Sequence, residues 1–487
     1  MMVLKLCKIS HIVYYVALII KILGHIVKKY YVTFFFINLI KYKRYNKEAN
    51  FMKKKETFSS KMGFILACLG AAIGLGNIWL FPWRLGTYGG AAFLIPYIIF
   101  SFTLAKTGMI LEIALGRYMK KSPYDAIKNI LENKNLPLKN LISIIPTLSI
   151  LGIFLFYSIV FGWILKYFTL SITFKIKDLN TASSFLNIAG NSNSIFWHGL
   201  AILLTAIVVI LGVQNGIEKL NKFIMPALFI GFSLLAIISI SLPNSIEGLK
   251  YLFLPHWESL LNIETWIMAL GQAFFSTSLT GAGLVLYGSY LKDDVDILDA
   301  SNKTIIFNLL SALLSALVIM PAVFSFGLNP ESGPSLLFIT IPEIFKNMKG
   351  GSLFAILFFL TVVFAAISSA INMLNCGTDL LISHSNLSRK KATLILSVIF
   401  FIVSIPMDLS MTLFTKFSDF ITIVLAPLGA LIAMISFIWF LPKFRAFNEI
   451  IKGSNRTLSK SFIILSKYIL PISTAIIILL GIIYGGI

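Results

Sequence analysis

Apolar runs about as long as a bilayer is thick alternate along this chain with short polar links. A helix needs about 20 largely apolar residues to cross the hydrocarbon core of a membrane. Eleven such runs follow residue 52: about 60–86, 91–115, 143–169, 195–213, 220–242, 266–290, 303–327, 352–383, 391–406, 417–441 and 461–485. Two of them are interrupted. In the first, Gly70, Gly74 and Gly76 are followed at once by Asn77 within GFILACLGAAIGLGNIWLFPWRLG. In the sixth, GQAFFSTSLTGAGLVLYGSYL, the residues Ser276, Thr277, Ser278, Thr280, Gly281 and Gly283 break the apolar run. Glycine costs about 1 kcal/mol relative to alanine in a helix interior, and each unsatisfied backbone group in lipid costs several kcal/mol. Both runs therefore read as helices broken at mid-membrane so that exposed backbone binds something. Each is the first of a block of five, the sequence signature of a site between two inverted repeats. Close helix packing through small residues is the alternative for either break alone; it is weaker for two breaks five spans apart.

Composition narrows the class. With 57% apolar and 13% charged residues, the chain is a membrane protein. Its net charge of +21 sits in alternate links, in Arg117, Lys120, Lys121 and Lys128, in Arg389, Lys390 and Lys391, and in Lys443, Arg445, Lys452, Arg456 and Lys460. Links 171–194 and 243–265 carry few bases. This positive-inside pattern argues against a nucleic-acid partner. It places the start of the first span in the cytoplasm and the carboxyl terminus outside, in a multi-pass protein of the plasma (inner) membrane. Cys7, Cys68 and Cys376 give neither a disulfide framework nor a metal spacing, and the five histidines are dispersed. Residues 1–51 read as an extension from a mis-assigned start, since Met52-Lys-Lys-Lys-Glu looks like an amino terminus; a peripheral or extra membrane helix is the alternative.

GAAIGLGNIWLFP, GGAAFLIPY, FYSIVFGW, GQAFFSTSL and AAISSAI resemble the neurotransmitter:sodium symporter family, in particular its bacterial eleven-span amino-acid branch. The resemblance covers residues 52 to about 441 and implies an all-α membrane fold. Repeat one would span about 60–242 and repeat two about 266–441, with helices one and six broken and the span at 461–485 added. It implies a sodium-coupled secondary active symporter that imports an amino acid by alternating access, with no catalytic residue.

Sodium is a hard cation that takes oxygen ligands. The resemblance places a first sodium at Ala72, Asn77, Ser276 and Asn308, and a second at Gly70, Ile73, Ala365, Ser368 and Ser369. The Ser368–Ser369 pair also fits hydroxyls bonding one turn back along their own helix. A half-helix amino terminus favours an anion, so a substrate carboxylate is expected at Leu75 and Gly76, completed by Tyr157. The side-chain pocket is expected from Ile153, Tyr157, Phe275, Ser278, Gly281, Ser369 and Met373. Gly281 stands where the family often has an aromatic wall, so the expected substrate is a bulky apolar or aromatic amino acid.

Three departures stand out. Leu80 replaces the family's gate arginine, which suggests an outer gate of Arg84 and Asp419 one turn further out, with Gln272 nearby. At the inner side Lys55 and Tyr290 match, but the expected acid of the eighth span falls at Ser383. The seventh span has no Asp or Glu between Asn302 and Phe326, while Tyr97, Gln272, Ser276, Asn308 and Ser311 resemble a chloride-site set. Gly216 and Pro226 keep the spacing tied to unwinding in the fifth span. Glu112 reads as structural or network-forming. Other readings are a proton-coupled or other amine or zwitterion carrier of the same fold, and a membrane sensor that retains the fold without transport. Their discriminants are sodium dependence of uptake and flux in proteoliposomes.

Overall fold

The computed structural model describes residues 56–329, 333 and 336–484. The extension expected over residues 1–51, and Lys55, lie outside the described residues. What is described is helical, and the spans fall where the apolar runs place them. Among the described residues, nine helices are each long and apolar enough to cross a membrane: Ala91–Met119, Lys139–Ile172, Asn193–Ile210, Val213–Ile240, Ile297–Ser325, Gly351–His384, Arg389–Asp408, Met411–Phe440 and Lys460–Ile483.

The first span is two pieces, Lys61–Ala72 and Gly76–Thr87, bent by 53° at the intervening residues. Ser60 caps its start, its side chain accepting from Gly63 N–H, and Ile73 turns extended at φ −79°, ψ 97°. Beyond the bend, Gly76–Leu80 forms a wide π-helical turn before the helix resumes. The sixth span is likewise split into Ile263–Ser276 and Gly283–Ser289, with irregular backbone over 277–282 between them. Within that stretch Ser278 sits at φ 56° and Gly281 at φ 75°. The left-handed region is uncommon for a residue with a side chain and marks places where backbone strain serves a site.

Small residues also serve packing, away from the breaks. A Cβ at Gly116 would lie 1.9 Å from the carbonyl oxygen of Val285, and one at Gly288 would lie 2.2 Å from that of Ile113. The second span and the second half of the sixth thus meet backbone to backbone, as membrane helices with small interfacial residues do. The third and eighth spans, each 34 residues long, pack on each other behind the two breaks. The result is the 5+5 inverted-repeat transporter architecture: two blocks of five spans, each opening with a broken helix, plus an eleventh span.

Candidate functional site

Unwinding frees the backbone of residues 73–76, and the neighbouring helices bring polar side chains to it. Asn77 follows the break and is fully buried. Its Nδ2 donates to Asn308 Oδ1 (2.8 Å), to the Asn308 carbonyl (3.0 Å) and to Ser311 Oγ (2.7 Å). Asn308 Nδ2 donates to Ser276 Oγ (3.3 Å), which lies 3.2 Å from the Tyr97 hydroxyl. Asn77 Oδ1 is buried with no partner. A buried acceptor left unpaired costs about 1–3 kcal/mol, and such an oxygen beside further oxygen donors suits a hard cation. Asn77, Ser276 and Asn308 are thus brought together, and Ala72 lines the adjoining cavity.

On the other side of the break, Ser369 Oγ donates to the Gly70 carbonyl (3.1 Å) and lies 3.5 Å from that of Ile73. Ser368 Oγ bonds back to Ala365 (3.0 Å). The two readings of the serine pair therefore divide: Ser368 bonds along its own helix, whereas Ser369 reaches across to the broken one. Asn221 of the fifth span belongs to this cluster and was not anticipated. A Cβ on Gly70 would meet its Oδ1 at 2.1 Å, and that oxygen is buried without a partner while Nδ2 holds the Ile217 carbonyl at 2.8 Å. Its signal in the sequence was an amide side chain between Gly216 and Pro226, where the fifth span carries a π-helical turn at Val213–Glu218.

A cavity adjoins the breaks, lined by Leu75, Gly76, Ile153, Tyr157, Phe275, Ser278, Ser369 and Met373 among others. The Tyr157 hydroxyl points at the bend, 3.1 Å from where a Cβ on Gly74 would lie. Ser278 Oγ donates to the Ala71 carbonyl at 2.5 Å, tying the two breaks together. Gly281 does not line the cavity. Its φ of 75° turns it away, and a Cβ there would lie 2.1 Å from the carbonyl oxygen of Gly429. Its N–H donates to Glu112 Oε1 at 2.8 Å, so the acid of the second span braces the sixth-span break. Leu279 and Thr280 face the cavity instead, joined by Ile150, Asn372 and, from the last span, Ile477. The enlargement inferred from a missing ring at Gly281 therefore has no support in the geometry.

Above the cavity, Arg84 is 5% exposed and donates to Gln272 Oε1 at 2.8 Å, while Gln272 Nε2 donates to the Gly76 carbonyl at 2.8 Å. Asp419 is exposed, and no ion pair joins it to Arg84 among the described residues. Gln272 is thus committed to Arg84 and the break. Within the chloride-like set, Tyr97, Ser276, Asn308 and Ser311 converge with Asn77, while Gln272, one turn before Ser276 on the same helix, holds the Gly76 carbonyl beside them. Below the cavity, Tyr290 donates to Asp379 Oδ1 (3.1 Å) and receives Asn375 Nδ2 (3.4 Å). Arg389 bonds Asn375 Oδ1 (2.8 Å) and pairs with Glu56 (3.1 Å), whose other oxygen accepts from Val213 N–H at 2.6 Å. The acid beside Tyr290 is Asp379, one turn before Ser383. Sequence reasoning missed it because it sought the acid at one aligned position.

Two helices broken at matching places around a shared cavity, with buried oxygens at the breaks, define a membrane carrier. Similarity to known proteins places it among such carriers. The sodium:neurotransmitter symporter family profile matches residues 55–187 and 186–485. The uncharacterized sodium-dependent transporter YhdH of Bacillus subtilis is 34% identical over 444 residues, 88% of this chain and 98% of that one. An uncharacterized sodium-dependent transporter of Haemophilus influenzae is 29% identical over 87% of this chain and 98% of its own length. Among solved structures, the crystal structure of MhsT in complex with L-phenylalanine superposes with a TM-score of 0.80 at 31% identity, covering 87% of this chain and 99% of that one. The chain belongs to the sodium:neurotransmitter symporter family. It is a sodium-dependent secondary transporter and not an enzyme.

Proposed function

We propose that this protein imports an amino acid with a bulky apolar or aromatic side chain, coupled to sodium, by alternating access across the plasma (inner) membrane. The observation that carries this reading is the partnerless, buried Asn77 Oδ1 beside Ser276 and Asn308, next to a cavity walled by the first-span break and Tyr157. One sodium takes the Ala72, Asn77, Ser276 and Asn308 oxygens; a second takes those of Gly70, Ile73, Ala365, Ser368 and Ser369. The amino acid's carboxylate takes the backbone N–H groups at Leu75 and Gly76 and the Tyr157 hydroxyl, where the half-helix dipole favours negative charge. Its side chain enters the part of the cavity formed by Ile153, Phe275 and Met373. The apolar character of those walls supports a large side chain, as does the likeness to a transporter crystallised with L-phenylalanine.

Sodium bound beside the substrate stabilises the loaded state, so the gradient drives uptake. The Arg84–Gln272 contact and Asp419 form the outer gate. Tyr290, Asp379 and Arg389 form the inner one, with the amino end of the first span cytoplasmic. Chloride coupling draws support from the convergence of Tyr97, Ser276, Asn308 and Ser311 and from the lack of a carboxylate between Asn302 and Phe326 in the seventh span; unchanged uptake on replacing chloride with gluconate would remove it. The substrate reading is tested by competition of sodium-driven uptake with a panel of amino acids. Phenylalanine, tryptophan, tyrosine and leucine should inhibit well and glycine poorly. Best inhibition by glycine would overturn it.

A further inference from the structure

The cavity wall carries two polar groups that nothing in the transport scheme uses. Asn372 of the eighth span is 2% exposed and Thr280 of the sixth-span break 5%. Both line the cavity, and Asn372 Oδ1 and Thr280 Oγ1 are buried with no hydrogen-bond partner. The other aliphatic hydroxyls of the wall are committed to backbone carbonyls: Ser278 to Ala71 (2.5 Å), Ser369 to Gly70 (3.1 Å) and Thr422 to Ser418 (2.8 Å). Tyr157 lies at the opposite end, beside Gly74.

Position separates the two ends. A Cβ on Gly283 would lie 2.6 Å from Asn372 Nδ2 and 3.0 Å from Ile150 Cδ1, so Asn372 sits where the second half of the sixth span meets Ile150. Ile150 precedes Tyr157 on the third span by two turns, about 10 Å along the axis. The Thr280 carbonyl is held by Ser149 Oγ at 3.2 Å, which fixes this end of the break against the same helix. An amino acid whose carboxylate lies at Gly76 and Tyr157 therefore directs its side-chain tip toward Asn372 and Thr280.

We propose that the Asn372 carboxamide and the Thr280 hydroxyl form a polar subsite that accepts a hydrogen bond from the tip of the substrate side chain. It favours an aromatic amino acid bearing a phenol O–H or an indole N–H over one with a bare ring. The inference rests on reading the cavity as the amino-acid site. A carboxamide presents an acceptor in either orientation, and a hydroxyl rotates to suit. Buried polar groups with no partner penalise a ligand that cannot satisfy them, so a site built this way rejects the analogue lacking the donor.

The test is competition against sodium-driven uptake of labelled phenylalanine by the purified full chain in proteoliposomes, with tyrosine, tryptophan and phenylalanine as competitors. Tyrosine and tryptophan should compete about tenfold better than phenylalanine. Asn372→Leu, close in volume but apolar, should bring the ratio near one. Thr280→Val, an isosteric exchange, should lower the ratio part of the way. Equal competition by the three in the parent protein, or an undiminished ratio in Asn372→Leu, overturns the proposal. If Asn372→Leu loses phenylalanine uptake as well, the ratio in Thr280→Val decides: a fall supports the subsite and an unchanged ratio overturns it. Failure of every amino acid to be taken up with sodium overturns the underlying reading instead, and this inference with it.

Discussion

Asn77→Ala tests the sodium assignment at the break, and its two consequences separate. Asn77 Nδ2 donates to Asn308 Oδ1, to the Asn308 carbonyl and to Ser311 Oγ. Ser311 Oγ and the Asn308 carbonyl keep each other at 2.7 Å after the change, so Asn308 Oδ1 is the acceptor left unpaired. A buried, unpaired acceptor costs about 1–3 kcal/mol, and the loss should appear with or without sodium. The second consequence is specific to the ion. A ligand at 100 times its dissociation constant stabilises the folded state by about 2.7 kcal/mol, and removing Asn77 Oδ1 should take away more than half of that increment. Thermal unfolding in detergent, in sodium chloride and in potassium chloride at equal ionic strength, reads both terms. The parent should melt higher in sodium, Asn77→Ala should melt lower in both salts with a shrunken sodium increment, and Asn77→Asp, which retains an oxygen, should keep the increment. A full sodium increment in Asn77→Ala would show that Asn77 Oδ1 holds no sodium.

Three further outcomes follow from the geometry. Gly281→Phe should destabilise by about 2–4 kcal/mol, since its left-handed backbone and the Gly429 carbonyl at 2.1 Å leave no room for a side chain; a stable variant with a narrowed substrate range would show that Gly281 faces the cavity after all. Asp408 and His198 are both fully buried and paired at 2.7 Å, with Ser194 on the other carboxylate oxygen at 2.6 Å. Asp408→Ala should therefore cost about 3–5 kcal/mol in thermal unfolding, and a cost below about 1 kcal/mol would deny the pair any structural part. Arg389→Ala removes the contacts to Glu56 and Asn375 and should speed labelling of the buried Cys376 by a membrane-permeant maleimide severalfold; an unchanged rate would show that the inner gate does not depend on Arg389.

The spans and both breaks were legible because their causes are local. Hydrophobic length sets a span, and a glycine pair followed by asparagine weakens one helix wherever it is placed. The oxygens of the first, sixth, seventh and eighth spans were reachable through motif resemblance: Asn77, Ser276 and Asn308 converge, and Ser369 meets the Gly70 carbonyl on the other side of the break. Gly281 was misread because a side chain's direction within 277–282 depends on where φ turns positive, and counting along the chain does not reveal that. The partner of Arg84 was equally hidden: a long side chain bonds whatever acceptor packing presents, and here that is Gln272 rather than Asp419. Asn221, Asp379 and the His198–Asp408 pair escaped notice because each gains its meaning only from residues far away in sequence.

The proposed transport is concentrative uptake of an aromatic amino acid, driven by a sodium gradient, through the site at the first-span break. Its most direct test is uptake of labelled phenylalanine or tyrosine by purified protein in proteoliposomes under an inward sodium gradient. The same measurement is then made with potassium replacing sodium, and with an inward proton gradient alone. Accumulation above the external concentration only with sodium outside is the result predicted. Equal uptake in potassium, accumulation driven by protons alone, or sodium-dependent binding with no flux would contradict it.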